Sequence, residues 1–514
     1  MNEDQDLWTF CDQALRRFAD ETLWVRRLPQ GRRERFTYGQ IRNAVGHLAA
    51  QLREMGAAPG TRVGIMAPNG PEWGAAALAV WRLGGVLTPL HVGNSDEELR
   101  IQSSALSPSV VLRCGPERAV SHTVPVELNF SAAPELSSVP VDPGTEALRI
   151  YTSGSTGRPK MVRLSHRNIV SNVRGAMQCD LQTGPGDRFL SLLPLSHTFE
   201  LTAGFLLPLA GGAAIVLPRT IAAGEIIEAM KEEQVTIIVA VPRLFRNLMQ
   251  GLEKRFAERG AWFRVYRALL AALPERFRRI ANAPIRRHFG APRAWVSGGA
   301  RLDPEISRFF RALGLPLRQG YGLTETSPVA SVQRDFDPLT DSIGQPIEHV
   351  EIRIHEPDAS GSGELLVRGP NVMLGYVDEV QTREAMLGDW FRTGDIGQIV
   401  PGGIVLTGRR KRLIVTEAGK NVYPEELEFL LERYPQVREA GVVEADLQPA
   451  AVLAIEGEDA AGKARAVLKA FNARVSSHNR ITRFALVEQL PRTPLGKVAI
   501  KELPELFARH EVRS

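Results

Sequence analysis

Residues 151–160 read Tyr151-Thr152-Ser153-Gly154-Ser155-Thr156-Gly157-Arg158-Pro159-Lys160, after a short apolar strand and before a helix-like stretch that starts at Ser165. Glycines let a backbone approach an oxyanion closely, hydroxyls donate hydrogen bonds to phosphate oxygens, and the terminal lysine supplies a point charge. This is the composition of a phosphate cradle. A Ser/Gly linker accounts for the serines and glycines but has no need of Thr, Pro and Lys at these places. No Gly-Lys is followed by Ser or Thr, so an ordinary P-loop is disfavoured. A second island, Gln319-Gly320-Tyr321-Gly322-Leu323-Thr324-Glu325-Thr326, comes after Val296-Ser297-Gly298-Gly299-Ala300-Arg301. A tyrosine between glycines can lay its ring flat on a base, Thr324 can reach a phosphate, and Glu325 can hold a hard cation through oxygen. A turn followed by a helix N-cap is the plain alternative. The third island is Trp390-Phe391-Arg392-Thr393-Gly394-Asp395, followed by Thr407-Gly408-Arg409. An aspartate at a strand end suits both hydroxyls of a ribose, with an arginine as second contact, although Thr-Gly-Asp alone is just a turn. The fourth, Pro491-Arg492-Thr493-Pro494-Leu495-Gly496-Lys497, presents one lysine on a loop, where a solvated lysine is the usual reading.

These islands need a scaffold that alternates strands and helices. Residues 38–52 place Ile41, Val45, Leu48, Ala49 and Leu52 at helical spacing, and Gly56, Pro59 and Gly60 then break the chain before the strand Val63-Gly64-Ile65-Met66. The pattern predicts a helix over 71–83, a strand over 86–90, and further strands at 109–112, 148–152, 189–193, 213–217, 237–241 and 294–296. Stretch 201–218 is uncharged but interrupted by Gly204, Pro208, Gly211 and Gly212, which predicts buried strand and turn rather than a membrane span. The expected class is α/β, a large domain of stacked parallel sheets. Composition shifts at Gly361-Ser362-Gly363 and Pro401-Gly402-Gly403, with antiparallel strands expected at 364–368 and 396–400. We therefore divide the chain into an N-terminal domain, 1–408, whose part from about 330 is a β-rich subdomain, and a small α+β domain, 409–514.

The 514 residues are 44% hydrophobic and 24% charged, which fits a globular protein and excludes disordered, collagen-like and coiled-coil classes. Cys11, Cys114 and Cys179 are far apart, so neither a disulfide framework nor a thiolate metal site is expected. Glu3, Asp4 and Asp6 stand where a secretion signal would need a basic end. A cytoplasmic location is expected. The net charge of +5 is carried mostly by arginine, since only nine lysines occur.

Taken in order, the four islands resemble the adenylate-forming superfamily of acyl-CoA synthetases, luciferases and peptide-synthetase adenylation domains. The resemblance runs from Phe36-Thr37-Tyr38 to Gly496-Lys497. It implies a two-step ligase: ATP and a carboxylate give an acyl adenylate and pyrophosphate, and a thiol then displaces AMP. By similarity, Thr152, Ser153, Gly154, Ser155, Thr156, Gly157 and Lys160 would embrace the β- and γ-phosphates, and Thr152 with Glu325 would hold Mg2+. Gly299, Ala300 and Tyr321 would frame adenine within the Gln319-Gly320-Tyr321-Gly322 run, Thr324 would touch the α-phosphate, and Asp395 and Arg409 would bind ribose. Lys497 would act in the first step only, with the C-terminal domain turning about Lys411 between steps. The segments Arg409-Arg410-Lys411-Arg412-Leu413-Ile414-Val415 and Leu193-Pro194-Leu195-Ser196-His197-Thr198-Phe199-Glu200 look most like bacterial long-chain fatty acyl-CoA synthetases. His197 would then line or gate an acyl channel, a packed core histidine being the alternative.

Coenzyme A is the acceptor this implies. A holo acyl carrier protein is the alternative, because residues 444–449 pass quickly to the next strand and leave the C-terminal domain short. Stretch 251–290 carries ten basic residues against three acidic ones, interleaved with apolar side chains, and so suits an anionic membrane surface or an acidic carrier. A solvated helical hairpin is its other reading. The expected partners are a fatty acid and a carrier protein, with peripheral contact at the inner membrane and no nucleic acid.

Overall fold

A computed structural model describes residues 5–115, 120–136, 139–152, 160–179, 182–257, 277, 281–282, 286–287, 289–315, 317–335, 337–416, 420–492 and 498–512, without the side chains of 255–257, Lys411 and Asn421. Helix Tyr38–Glu54 starts at a capping box in which the Thr37 side chain accepts from the Gln40 amide and the Gln40 side chain accepts from the Thr37 amide. Its Ile41, Ala44, Val45, Leu48, Ala49 and Leu52 form the buried stripe. Helix Pro71–Arg82 is buried almost all round, with Trp73 and Trp81 inaccessible to solvent. Burying side chains of this size contributes roughly 1.5–3 kcal/mol each. Together with His166–Met177, these helices contribute to one large core.

Two mixed sheets hold that core. Among the described residues the first has seven strands, in the order Gly375–Tyr376, Lys160–Ser165, Glu146–Thr152, Val86–Pro89, Arg62–Met66, Val110–Arg113 and Thr123–Pro125. The second has nine, in the order Gln345–Pro346, Val329–Val332, Leu317–Gly322, Ala294–Ser297, Ile237–Ala240, Arg188–Leu190, Ala214–Leu217, Thr22–Arg27 and Arg33–Thr37. Their interiors are parallel and their edges antiparallel, except that the edge strand Thr123–Pro125 runs parallel to Val110–Arg113. The α/β class holds, with antiparallel edges that the pattern did not separate from the parallel run. A second core lies around Trp295, Phe245 and Phe310, whose rings meet edge-on or tilted. The β-rich part forms a five-stranded sheet in which Gly363–Arg368 runs antiparallel to Trp390–Val400, itself paired with Gly403–Arg409.

Stretch 201–218 corrects the expectation of strand and turn. Glu200–Leu206 is a π-helix that runs into the α-helix Leu207–Gly211, and only Ala214–Leu217 is strand. Pro208 falls in the first turn of the α-helix, where no amide is needed, and Gly212 caps its end in the left-handed region. Gly204 is required by close approach: a Cβ there would stand 2.5 Å from the Glu200 carboxyl carbon. The strand expected over 189–193 ends at Leu190; the Ser191 amide still donates to the Val216 carbonyl at 3.0 Å, and the backbone groups of Leu193 and Leu195 are taken up by the Asn69 side chain. Its Nδ2 donates to Ser191 Oγ at 2.9 Å and to the Leu193 carbonyl at 2.6 Å, and its Oδ1 accepts from the Leu195 amide at 2.9 Å.

Two further cores draw only on residues from Ile414 onward, around the sheet of Val437–Ala445, Gln448–Ile455 and Phe484–Leu486. The first two of these strands are joined by Asp446 and Leu447, both left-handed, so the connection is a two-residue turn. Helix Pro424–Leu431 and its C-terminal flank face the N-terminal part: Arg301 lies over the Phe429 ring, Arg246 pairs with Glu432 at 3.0 Å, and Arg433 with Asp303 at 3.5 Å.

Candidate active site

The phosphate-cradle segment joins the two strands of an antiparallel hairpin, and the helix expected after it starts only beyond the second strand. Thr152 and Lys160 are the last ladder pair of Glu146–Thr152 and Lys160–Ser165, and Thr152 Oγ1 donates to the Lys160 carbonyl at 3.3 Å. The helix begins at His166, capped by Ser165. Ser153, Gly154, Ser155, Thr156 and Gly157 lie outside the described residues, as does Lys497, and of Lys411 only the backbone is described, in the turn Arg410–Arg412. Stretch 251–290 is also largely outside them.

Three distant segments meet at the mouth of this hairpin. Lys160 Nζ lies 4.2 Å from the centre of the Tyr376 ring, and the Tyr376 hydroxyl donates to Glu325 Oε1 at 2.7 Å. Burial, with Glu325 second, pushes the phenol well above its ordinary range, so it stays a donor. Glu325 sits in the turn Thr324–Thr326, which is held by two asparagines. The Nδ2 groups of Asn172 and Asn371 both donate to the carbonyls of Thr326 and Val329, at 2.6–3.1 Å. Gly322 enters this turn where a Cβ would stand 1.7 Å from the Pro328 carbonyl oxygen, so no other residue fits.

In the middle of the site, Thr198 Oγ1 is 3.4 Å from Thr324 Oγ1 and is 5% exposed. The preceding His197 is tilted against His91 with ring centres 5.6 Å apart, and His91 Nδ1 is 3.2 Å from Ser196 Oγ. Burial lowers the His91 pKa, with Glu98 opposing, which favours the neutral ring. Phe199 lays its ring over Gly298. Gly299 and Ala300 are exposed in the loop after Ala294–Ser297, while Gln319 is buried and its amide donates to Gln333 Oε1 at 2.8 Å. Ser297 and Gln319 are register partners, and Ser297 Oγ and Gln319 Oε1 are both buried with no hydrogen-bond partner among the described residues.

At the other end, Tyr321 donates its hydroxyl to Asp395 Oδ2 at 2.8 Å, and Arg409 Nε meets Asp395 Oδ1 at 2.9 Å. Asp395 and Arg409 face each other across the ladder. Asp395 is 5% exposed. Each of its oxygens keeps a lone pair, so the carboxylate can still accept from a pair of vicinal hydroxyls. Burial and the Asp395 charge raise the Tyr321 phenol.

Among the described residues no group of three or more His, Cys, Asp and Glu side chains could hold a metal ion. A lone carboxylate beside a hydroxyl and phosphates is nevertheless a donor set that Mg2+ uses. Among the described residues no helix is long and apolar enough to cross a membrane.

The sequence profile of the AMP-binding enzyme family matches residues 11–377. The chain belongs to that family. This AMP-binding enzyme is 29% identical over 513 residues to an indoleacetate–CoA ligase of Aromatoleum aromaticum, covering 92% of the chain and 93% of the relative. It is 30% identical over 469 residues to the long-chain-fatty-acid–CoA ligase FadD15 of Mycobacterium bovis, covering 80% of the chain and 76% of the relative. Among solved structures, o-succinylbenzoate CoA synthetase of Bacillus subtilis in complex with its acyl-adenylate intermediate superposes with a TM-score of 0.80 at 25% identity, over 97% of this chain and 98% of that one.

Tyr376, Thr198, His91 and Asn69 were not singled out by the sequence. Gly375-Tyr376 alone carries a local signal, a glycine–tyrosine pair closing an apolar run, and nothing local links it to Lys160.

Proposed function

We propose that this AMP-binding enzyme adenylates a fatty acid with ATP and passes the acyl group to the thiol of coenzyme A. One observation supports the reading above others: strand Leu317–Gly322 and the turn after it carry Tyr321 to the Asp395 carboxylate, Thr324 to the centre, and Glu325 to the Lys160 end. That is the order of ribose, α-phosphate and outer phosphates along one nucleotide.

Asp395 and Arg409 bind the ribose hydroxyls in this reading, and Tyr321 with Gly299 and Ala300 frames the base. Lys160 and the 153–157 loop neutralise the outer phosphates, and Glu325 with Thr152 holds Mg2+. When bound, the cation withdraws charge from the pyrophosphate leaving group. A carboxylate oxygen of the acid attacks the α-phosphorus, the bond to the pyrophosphate oxygen breaks, and pyrophosphate leaves with the electron pair. Thr324, backed by the Thr198 hydroxyl, donates to the α-phosphate as charge builds there, and Lys497 bridges acid and phosphate. Domain 409–514 then turns about Lys411, withdrawing Lys497. The thiol sulfur adds to the acyl carbon, AMP leaves with its phosphate oxygen, and the thiol proton passes to water. Similarity to FadD15 supports a fatty acid.

Pyrophosphate exchange into ATP, measured with a panel of fatty and aromatic acids, tests the first step. Mass spectrometry after adding coenzyme A or holo carrier protein tests the second. Exchange driven by aromatic acids and by no fatty acid refutes the substrate, and acyl transfer to carrier protein alone refutes the acceptor.

A further inference from the structure

We propose that Tyr376 is a positioning residue shared by both groups at the phosphate end: its ring face holds the Lys160 ammonium, and its hydroxyl fixes the orientation in which the Glu325 carboxylate meets the cation. The inference rests on the reading of Glu325 as a Mg2+ ligand.

Tyr376 is 3% exposed and held on every side that matters. Its backbone pairs with Val162 on the edge of the hairpin whose second strand starts at Lys160, and its amide donates to Thr382 Oγ1 at 2.8 Å. A buried side chain on a backbone pinned in this way has little freedom to follow its neighbours, so they take their positions from it. The Lys160 ammonium stands 4.2 Å above the ring centre, within the range where a cation is attracted to the negative face of an aromatic ring. The hydroxyl donates to Oε1 at 2.7 Å. This bond fixes the rotation of the Glu325 carboxyl group, and with it the direction from which its oxygens can meet a cation. A donor that hydrogen-bonds a metal-binding carboxylate orients it, and loss of such a donor costs about 10–100-fold in metal affinity.

Ring and hydroxyl can be removed separately. ATP binding to the full-length protein is measured by isothermal titration calorimetry across a MgCl2 series and again in EDTA, for wild type, Tyr376→Phe, Tyr376→Leu and Glu325→Gln. Tyr376→Phe keeps the ring. It is expected to raise the Mg2+ concentration for half-maximal ATP affinity about tenfold and to leave affinity in EDTA within about twofold. Tyr376→Leu should show the same Mg2+ shift and also lose about threefold or more in EDTA, as the lysine loses its platform. If Glu325→Gln raises the Mg2+ requirement and Tyr376→Phe does not, the hydroxyl has no positioning role and the reading of Glu325 survives. If Glu325→Gln leaves the requirement unchanged, that reading fails and the proposal fails with it. Equal losses in EDTA for Phe and Leu overturn the role of the ring.

Discussion

Glu200 is a carboxyl with no solvent exposure, one residue beyond Phe199 at the start of the π-helix, and the chemistry proposed above makes no use of it. Burial pushes its pKa up to about 8, opposed in part by the hydroxyl of Ser191, which donates at 2.7 Å, and by the amides of Leu193 and Leu192. An unfolded chain releases this proton near 4.5, so between about pH 4.5 and 8 the folded state holds a proton that the unfolded state gives up. Wild-type stability must therefore fall as pH rises through that window, and it levels off above about 8. The replacement Glu200→Gln has no such proton. At about 1.4 kcal/mol per pH unit, wild type should lose about 3–4 kcal/mol relative to Glu200→Gln between pH 5 and pH 8. Gln can keep the Ser191 bond through its carbonyl oxygen. Any loss of fit shifts the difference by a constant, and the slope carries the prediction. Guanidinium unfolding of the two proteins at pH 5, 6, 7 and 8 measures it, since groups common to both cancel. A carboxylic-acid carbonyl band present at pH 6 in wild type and missing in the variant would identify the protonated group by infrared spectroscopy. A stability difference that stays flat across the four pH values refutes the reasoning.

Asp395→Asn removes the charge shared by Arg409 and Tyr321, and charged hydrogen bonds of this kind are worth about 1.5–3 kcal/mol, so the dissociation constant for AMP should rise about 10–100-fold by calorimetry. Lys497→Ala should cut acid-dependent pyrophosphate exchange by about two to three orders of magnitude while thioester formation from added acyl-AMP persists. Equal loss in both half-reactions would remove it from its step. Lys411→Pro should fix the backbone dihedral in the turn Arg410–Arg412 and spare adenylation while slowing thioester formation, followed by quenched single-turnover assays.

Local chemistry determined much of this protein. The helix over residues 38–54 follows from a capping box and a 3.6-residue apolar stripe, both contained in the sequence from Thr37 to Glu54. The island at Thr152 stands out because glycine, hydroxyl and lysine at close spacing have few other uses, whereas those around Tyr321, Asp395 and Lys497 each have a plain turn or loop as alternative and gain weight only from their order along the chain. Local pattern failed where long-range partners decided the backbone. Asn69 holds the chain beyond the strand end at Leu190 by offering its amide to residues more than 120 positions away, and Gly204 makes room for a carboxyl one turn back in a π-helix whose period no amphipathic pattern announces. Tertiary structure alone brought Lys160, Glu325 and Tyr376 together, and likewise Thr198 with Thr324 and His91 with His197. Each of these contacts joins segments from different strands and turns, and sheet order and register place them. Residue type fixes what a side chain can do. Which side chain it does it with depends on strand order, which one-dimensional spacing does not contain.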